Sequence, residues 1–304
     1  MRRVDDAAIR STGDVRFTSE YHYAIFEYYR SAKVLRYLDR AGVTRLGRLL
    51  DAGCGGGGMC VSFGEETAPV VGIDLSDRFR DAGTRLAAEK GVRSVAFAQA
   101  DGTALPFADA AFDVVLSHAV IEHVRDPLTY LREIRRVTRP GGRVFLQTAP
   151  YLSPHGSHLP RLRVPVPLHL VVGRRAAFAV SRWLARHAPS ALDVPPSGAS
   201  FLTDARAGRK KIDDLYYKVT VRNLRRHIGD AGLRILREDL YVSSAVRRLS
   251  PALAARVPSV PFVRDVLVGN MEYILEPGAA AAQTVARDVS PASAAGRPFA
   301  RPPD

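Results

Sequence analysis

The chain has 304 residues, 46% hydrophobic and 25% charged, which excludes a disordered or fibrous protein and leaves room for a large buried core. Its formal net charge of +13 is uneven: residues 1–150 carry 21 Lys/Arg against 19 Asp/Glu (+2), and residues 151–304 carry 23 against 12 (+11). The basic half suits nucleic acid, anionic lipid or an acidic substrate, or reflects an arginine-rich composition with no partner.

Two cysteines, Cys54 and Cys60, are too few for a disulfide framework, and both are expected to be reduced, as in a cytoplasmic enzyme. The opening stretch MRRVDDAAIRSTGD is charged and has no signal-peptide core. VPVPLHLVVG (Val164 to Gly173) is too short and proline-rich to span a bilayer.

In chain order, the first dozen residues read as loose. EYHYAIFEYYRSAKVLRYLDRAG (Glu20 to Gly42) follows as an amphipathic helix or helix pair closed by glycine. Apolar runs then alternate with helical segments: GRLLDAG, PVVGIDLS, SVAFAQAD, FDVVLSHA and GRVFLQTA, separated by LSDRFRDAGTRLAAEKG and DPLTYLREIRRVTRPGG among others. Runs this apolar suit strands covered on both faces, so the alternation predicts a doubly wound α/β sheet. After Pro150 the rhythm breaks into a Pro-, His- and Arg-rich segment with no clear strand, reaching about Asp214. A helix (TVRNLRRHIGDAG) and two strands (LRILREDLYV, NMEYILEP) follow, then an Ala/Pro-rich tail expected to be disordered.

LLDAGCGGGGMC (Leu49 to Cys60) places five glycines, Gly53 and Gly55 to Gly58, directly after a strand ending in Asp51. Each is costly to order, so they imply a sharp turn that brings backbone close to a bulky ligand. Gly53, Gly55 and Gly58 also satisfy G-x-G-x-x-G, with Asp74 placed to meet a ribose, so a nicotinamide dinucleotide is one reading.

Together with VVGIDLS, AQADGTALPF, FDVVLSHAVIEHVRDP and LREIRRVTRPGGRVFL, in that order, the loop resembles the class I S-adenosylmethionine-dependent methyltransferases. The likeness is to their small-molecule group, which includes quinone-biosynthesis enzymes; it is strong from Gly47 to Pro150 and weaker to the closing strand. It implies a Rossmann-like seven-stranded sheet whose last two strands form an antiparallel edge. It implies S-adenosyl-L-methionine as cofactor, with Asp51, Gly53, Gly55 and Gly57 against its methionine and ribose portions. Cys54, a small filler of the turn, is counted with that loop, and Leu75 with Asp74, which would accept from the ribose hydroxyls. Asp101, with Gly102 beside it, would accept from the adenine amino group, and Ser117 and His118 would end near the methyl group. A dinucleotide makes no particular use of Asp51 or Asp101.

The chain then divides into an N-terminal segment and helical cap (1–46), a cofactor-binding core (47–150), a substrate-covering insertion (151–214), the C-terminal part of the sheet (215–276) and the tail (277–304). His155 and His158, just past the fifth strand, are the base candidates by position, with His118 a third, because imidazole titrates in the useful range. Asp113 and Glu122 are expected to be solvated or capping, and His123 packed. The spacing of His118, His123, His155, His158 and His169 contains no HExxH or Cys/His pattern, so no metal is expected.

RRAAFAVSRWLARHA predicts a basic amphipathic helix, with Ala176, Ala177, Val180, Trp183 and Leu184 on one face and Arg175 and Arg182 opposite. It serves as a lid over an apolar substrate or as a peripheral membrane contact. Both point to an apolar small molecule, and the expected activity is its O-methylation in secondary metabolism. RNA or DNA is the alternative acceptor, carried by DARAGRKKIDDLYYKVTVRNLRRH, though its charges are interrupted by Asp213 and Asp214. Nothing in the sequence sets the oligomeric state.

Overall fold

Leu49–Ala52 form a strand, β1, with every residue buried, as expected of the centre of a sheet covered on both faces. The computed structural model describes residues 4–153, 156, 158–159, 161–162, 168–193 and 217–278. β1 is joined by β2 (Val70–Asp74), β3 (Val95–Gln99), β4 (Phe112–His118), β5 (Thr138–Thr148), β6 (Leu233–Val242) and β7 (Val268–Pro277). The order is β3-β2-β1-β4-β5-β7-β6. β1 to β5 are parallel, and β7 pairs antiparallel with both β5 and β6, giving the expected edge. Strand order reverses beside β1 and β4, so a crevice opens at their C-terminal ends.

Helices α2 (Glu20–Arg40), α3 (Gly58–Gly64), α4 (Ala82–Lys90), α5 (Pro127–Val137) and α7 (Val221–Asp230) cover the two faces, α1 (Asp6–Val15) packs on α2, and α6 (Arg174–His187) belongs to the insertion. The alternation of β4 divides the core. Val115 faces Leu131 and Ile134 of α5 and Leu224 of α7, while Val114 and Leu116 face Phe63 of α3 and Leu38 of α2. Sequence-coded caps set the helix starts: the Ser19 hydroxyl accepts from the His22 N–H, Asp126 precedes Pro127, and Thr220 with Asn223 forms a capping box.

Five features depart from expectation. The N-terminus is helical rather than loose, because Asp5 accepts from the N–H groups of Ala7 and Ala8 and caps α1. Residues 75–81 are not helical; α4 begins at Ala82. α5 ends at Val137, and Pro140, Gly141 and Gly142 fall within β5, where a register shift against β4 absorbs them. In the insertion, Arg161–Leu162 pair antiparallel with Leu192–Asp193, flanking α6. Between β6 and β7 lie three short helices that no sequence reading anticipated: α8 (Ser244–Leu249), α9 (Pro251–Arg256) and α10 (Val263–Leu267). The tail from residue 279 onward lies outside the described residues.

α2 lies directly over the glycine turn. A Cβ on Gly58 would sit 2.0 Å from the carbonyl oxygen of Ala24, a backbone atom that cannot rotate away. Gly58→Ala is expected to cost roughly 3 kcal/mol, the upper end for overpacking, measured by urea unfolding. An unchanged midpoint would show that α2 is not pinned to the turn.

Candidate active site

Gly53 (φ 116°), Gly55 (φ 54°) and Gly57 (φ 80°) all occupy the left-handed region, which explains why the turn needs glycine. A Cβ at Gly53 would lie 2.2 Å from Val120, and one at Gly57 2.6 Å from the Phe97 ring. The N–H groups of Gly53 and Cys54 both donate to the Ile73 carbonyl at 2.8 Å, tying the turn to β2. Asp74, at the end of β2, completes the tie. Its Oδ2 accepts from the Gly55 N–H (2.9 Å), and its Oδ1 accepts from the N–H (2.9 Å) and hydroxyl (2.8 Å) of Ser76. Cys54 is buried, so its side chain fills the turn and offers the crevice only backbone.

Leu75, next to Asp74, is 69% exposed, and Gln99 Nε2 holds its carbonyl at 2.8 Å. Asp101, just past β3, is also exposed. Both the N–H and the hydroxyl of Thr103 donate to its Oδ1 at 2.8 Å, which leaves Oδ2 open to a further donor. The LPF turn that follows is braced from α5: Leu105 N–H donates to Glu133 (2.8 Å), and Arg136 donates to the carbonyls of Leu105 (3.0 Å) and Phe107 (2.7 Å). Gly102 is required by packing, since a Cβ there would lie 2.6 Å from the Tyr130 ring. The Tyr130 hydroxyl donates to the Ala52 carbonyl (2.9 Å) and lies within hydrogen-bond reach of Ser117 Oγ (2.8 Å). Ser117 is therefore turned into the core at 1% exposure, and its hydroxyl does not reach the crevice as expected.

Asp51 is 2% exposed, and the Cys60 thiol lies 3.4 Å from its Oδ2. Burial pushes its carboxyl up to about 7, opposed by the thiol contact and reinforced by the charges of Glu27 and Asp74. Glu27 belongs to α2, where Ala24, Tyr28 and Ser31 are buried; position 27 falls in that stripe, a helical-spacing signal that sequence reading passed over. Glu27 pairs with Arg30, and Arg30 Nη2 lies 3.4 Å from His118 Nδ1. The Arg30 Nε is buried with no hydrogen-bond partner, a donor suited to a carboxylate. Burial, with the Arg30 charge, holds His118 well below the usual imidazole range, so it stays neutral and is a weak base.

Glu122, expected to be solvated, is instead 5% exposed and accepts from the Thr148 hydroxyl at 3.0 Å. His158 Nε2 lies 3.5 Å from its other oxygen, and the His123 and His158 rings are 5.0 Å apart. Burial raises the Glu122 carboxyl, but the His158 contact and the two imidazoles outweigh it and hold the group below its ordinary value. Ligand atoms of Glu122, His123 and His158 all lie within 4.8 Å of one another, a grouping that chain spacing did not show. It stands at the C-terminal ends of β4 and β5. His155 lies outside the described residues, and His169 Nε2–H donates to the Tyr151 carbonyl (2.8 Å), where it is structural.

The methyltransferase-domain family matches residues 50–146. An uncharacterized methyltransferase of Mycobacteroides abscessus is 30% identical over 239 residues, covering 78% of this chain and 79% of the relative. One of Mycobacterium leprae is 31% identical over 243 residues, covering 79% and 77%. A solved structure described as a "putative sarcosine dimethylglycine methyltransferase from Galdieria sulphuraria" superposes with a TM-score of 0.50 at 12% identity, over 82% of this chain and 85% of that one; it shows the fold alone. The glycine turn, the strand order and these relatives agree: the chain belongs to the class I S-adenosylmethionine-dependent methyltransferases.

Proposed function

We propose that the enzyme O-methylates an apolar small molecule in secondary metabolism, holding S-adenosyl-L-methionine in the crevice of β1, β2 and β3 and using His158 as general base. The observation that carries the reading is the Thr148–Glu122–His158 relay where β4 and β5 end. The residues of the crevice fit the cofactor: a glycine turn whose one side chain, Cys54, is buried, an exposed leucine, and a carboxylate with one open oxygen at Asp101. Asp74 would hold the ribose hydroxyls, Asp101 the adenine amino group, Leu75 the adenine face, and Arg30 the methionine carboxylate.

When bound, the cofactor supplies an electrophilic methyl group for in-line displacement. The chain's task is then to hold an acceptor hydroxyl in line and to take its proton. An ionised Glu122 accepts from His158 Nε2–H, which leaves Nδ1 as the proton-accepting nitrogen. A contact of 3.5 Å is long, as such bonds commonly are before substrate is bound. The nucleic-acid alternative loses a stacking residue: Tyr217 donates to Asn223 Oδ1 at 2.9 Å and packs on the core instead of facing outward. The rest of that basic stretch, 204–216, lies outside the described residues.

Calorimetric titration tests the cofactor. S-adenosylmethionine is expected to bind and NADH not. Asp101→Ala should weaken binding about tenfold and Asp74→Ala about a hundredfold, at roughly 1.5–3 kcal/mol per hydrogen bond to a charged group. Thermal unfolding of Asp74→Ala is the control, since Asp74 also holds Gly55. NADH binding, or indifference to Asp101→Ala, would overturn the assignment.

A further inference from the structure

The surface of α6 falls into three stripes. Ala177, Phe178 and Ser181 are buried, packed with Leu159, Leu168 and Ala185. Ala176, Val180 and Trp183 form a second stripe at helical spacing and face solvent, Val180 at 39% and Trp183 at 57% exposure. Arg175, Arg182 and Arg186 form a third, also exposed. The turn leading into the helix adds Leu170, Val171 and Val172, with Val171 69% exposed. The predicted lid would have turned Val180 and Trp183 inward; they point out, and Phe178 points in.

A second element lies at the same edge of the sheet. β7 is antiparallel to β5 and β6 to β7, so the segment from the end of β6 to the start of β7 stands with the C-terminal end of β5, from which the insertion also emerges. There Leu253, Val260 and Phe262 are exposed, Phe262 at 68%. Among the described residues there, Arg175, Arg182, Arg186, Arg247, Arg248 and Arg256 are exposed, and residues 168–192 and 243–264 contain no aspartate or glutamate.

We propose that this edge docks on an anionic lipid bilayer, with Val171, Val180, Trp183 and Phe262 entering the headgroup boundary and the arginines meeting lipid phosphates. An acidic protein would match the arginines but not the aliphatic and aromatic side chains between them; an anionic bilayer matches both. No helix among the described residues is long and apolar enough to cross a membrane, so the contact is peripheral. Resting on the function proposed above, the same geometry turns the crevice mouth toward lipid, where an apolar acceptor is dissolved.

Trp183 is the only tryptophan, so its emission reports on the patch alone. The full-length protein is mixed with phosphatidylcholine vesicles, or with vesicles containing phosphatidylglycerol, plain or brominated in the acyl chains. A blue shift and bromine quenching are expected with phosphatidylglycerol present. Replacing Arg182 and Arg186 together by Gln should weaken partitioning about 25-fold, at about fivefold per arginine. Phe262→Ser should weaken it with Trp183 still in place as the probe, and circular dichroism shows that each variant is folded. Three results would overturn the proposal: unchanged emission, equal binding to neutral vesicles, or emission already blue-shifted without lipid. The last, if it depends on protein concentration, would assign the patch to a second copy; if not, to another segment of this chain.

Discussion

Asp51→Asn is expected to stabilise the cofactor-free protein at pH 8, leave it nearly unchanged at pH 4, and weaken S-adenosylmethionine binding. The folded carboxyl is raised from 3.8 to about 7, chiefly by burial. Between those values the folded state holds a proton that the unfolded state has released. Stability therefore falls as pH rises through this window, and the loss is complete above about pH 7. The difference of about three units corresponds to a penalty on the order of 4 kcal/mol. Urea titrations at pH 4, 6 and 8 should show the Asn variant gaining stability relative to the wild type as pH rises; a gap that does not change with pH would refute the burial argument.

A carboxylate kept at such a cost asks for a cation, and the methionine portion of the cofactor carries an ammonium and a sulfonium. Binding should then lower the Asp51 carboxyl and release a proton near pH 7. Calorimetry in two buffers of different ionisation enthalpy would read that release, and its absence would place the cationic groups away from Asp51.

The geometry of the glycine turn and of the strand ends beside it was legible because its code is local. Three glycines at positive φ, an aspartate closing β2 and another just past β3 are requirements of single backbone positions. Strand alternation could also have placed Ser117: it shares a side with Val115, facing α5, and so ends beneath Tyr130. Of the proposed proton relay, position in the chain offered His158 but not Glu122, which becomes buried only when Thr148 and His158 arrive from later in the chain. The same limit applies to α6. Helical spacing separated its faces, but which face is buried depends on Leu159 and Leu168, outside the helix.

Replacing His158 by Ala is expected to lower kcat by about a hundredfold or more with little change in KM, the usual scale for loss of a general base. Added imidazole should restore part of the rate, because the cavity left beside Glu122 accepts a free base. Glu122→Gln should lower kcat about tenfold with KM unchanged, and imidazole should not restore it, since Glu122 positions the ring and does not take the proton. His158 itself sits at φ 54°, a conformation in which the loop aims its ring at Glu122 instead of following an extended path. Loss of KM alone in His158→Ala would make it a substrate contact. Loss of wild-type activity to a chelator, restored by zinc, would convert Glu122, His123 and His158 from a proton relay into a metal-binding set of two nitrogens and one oxygen.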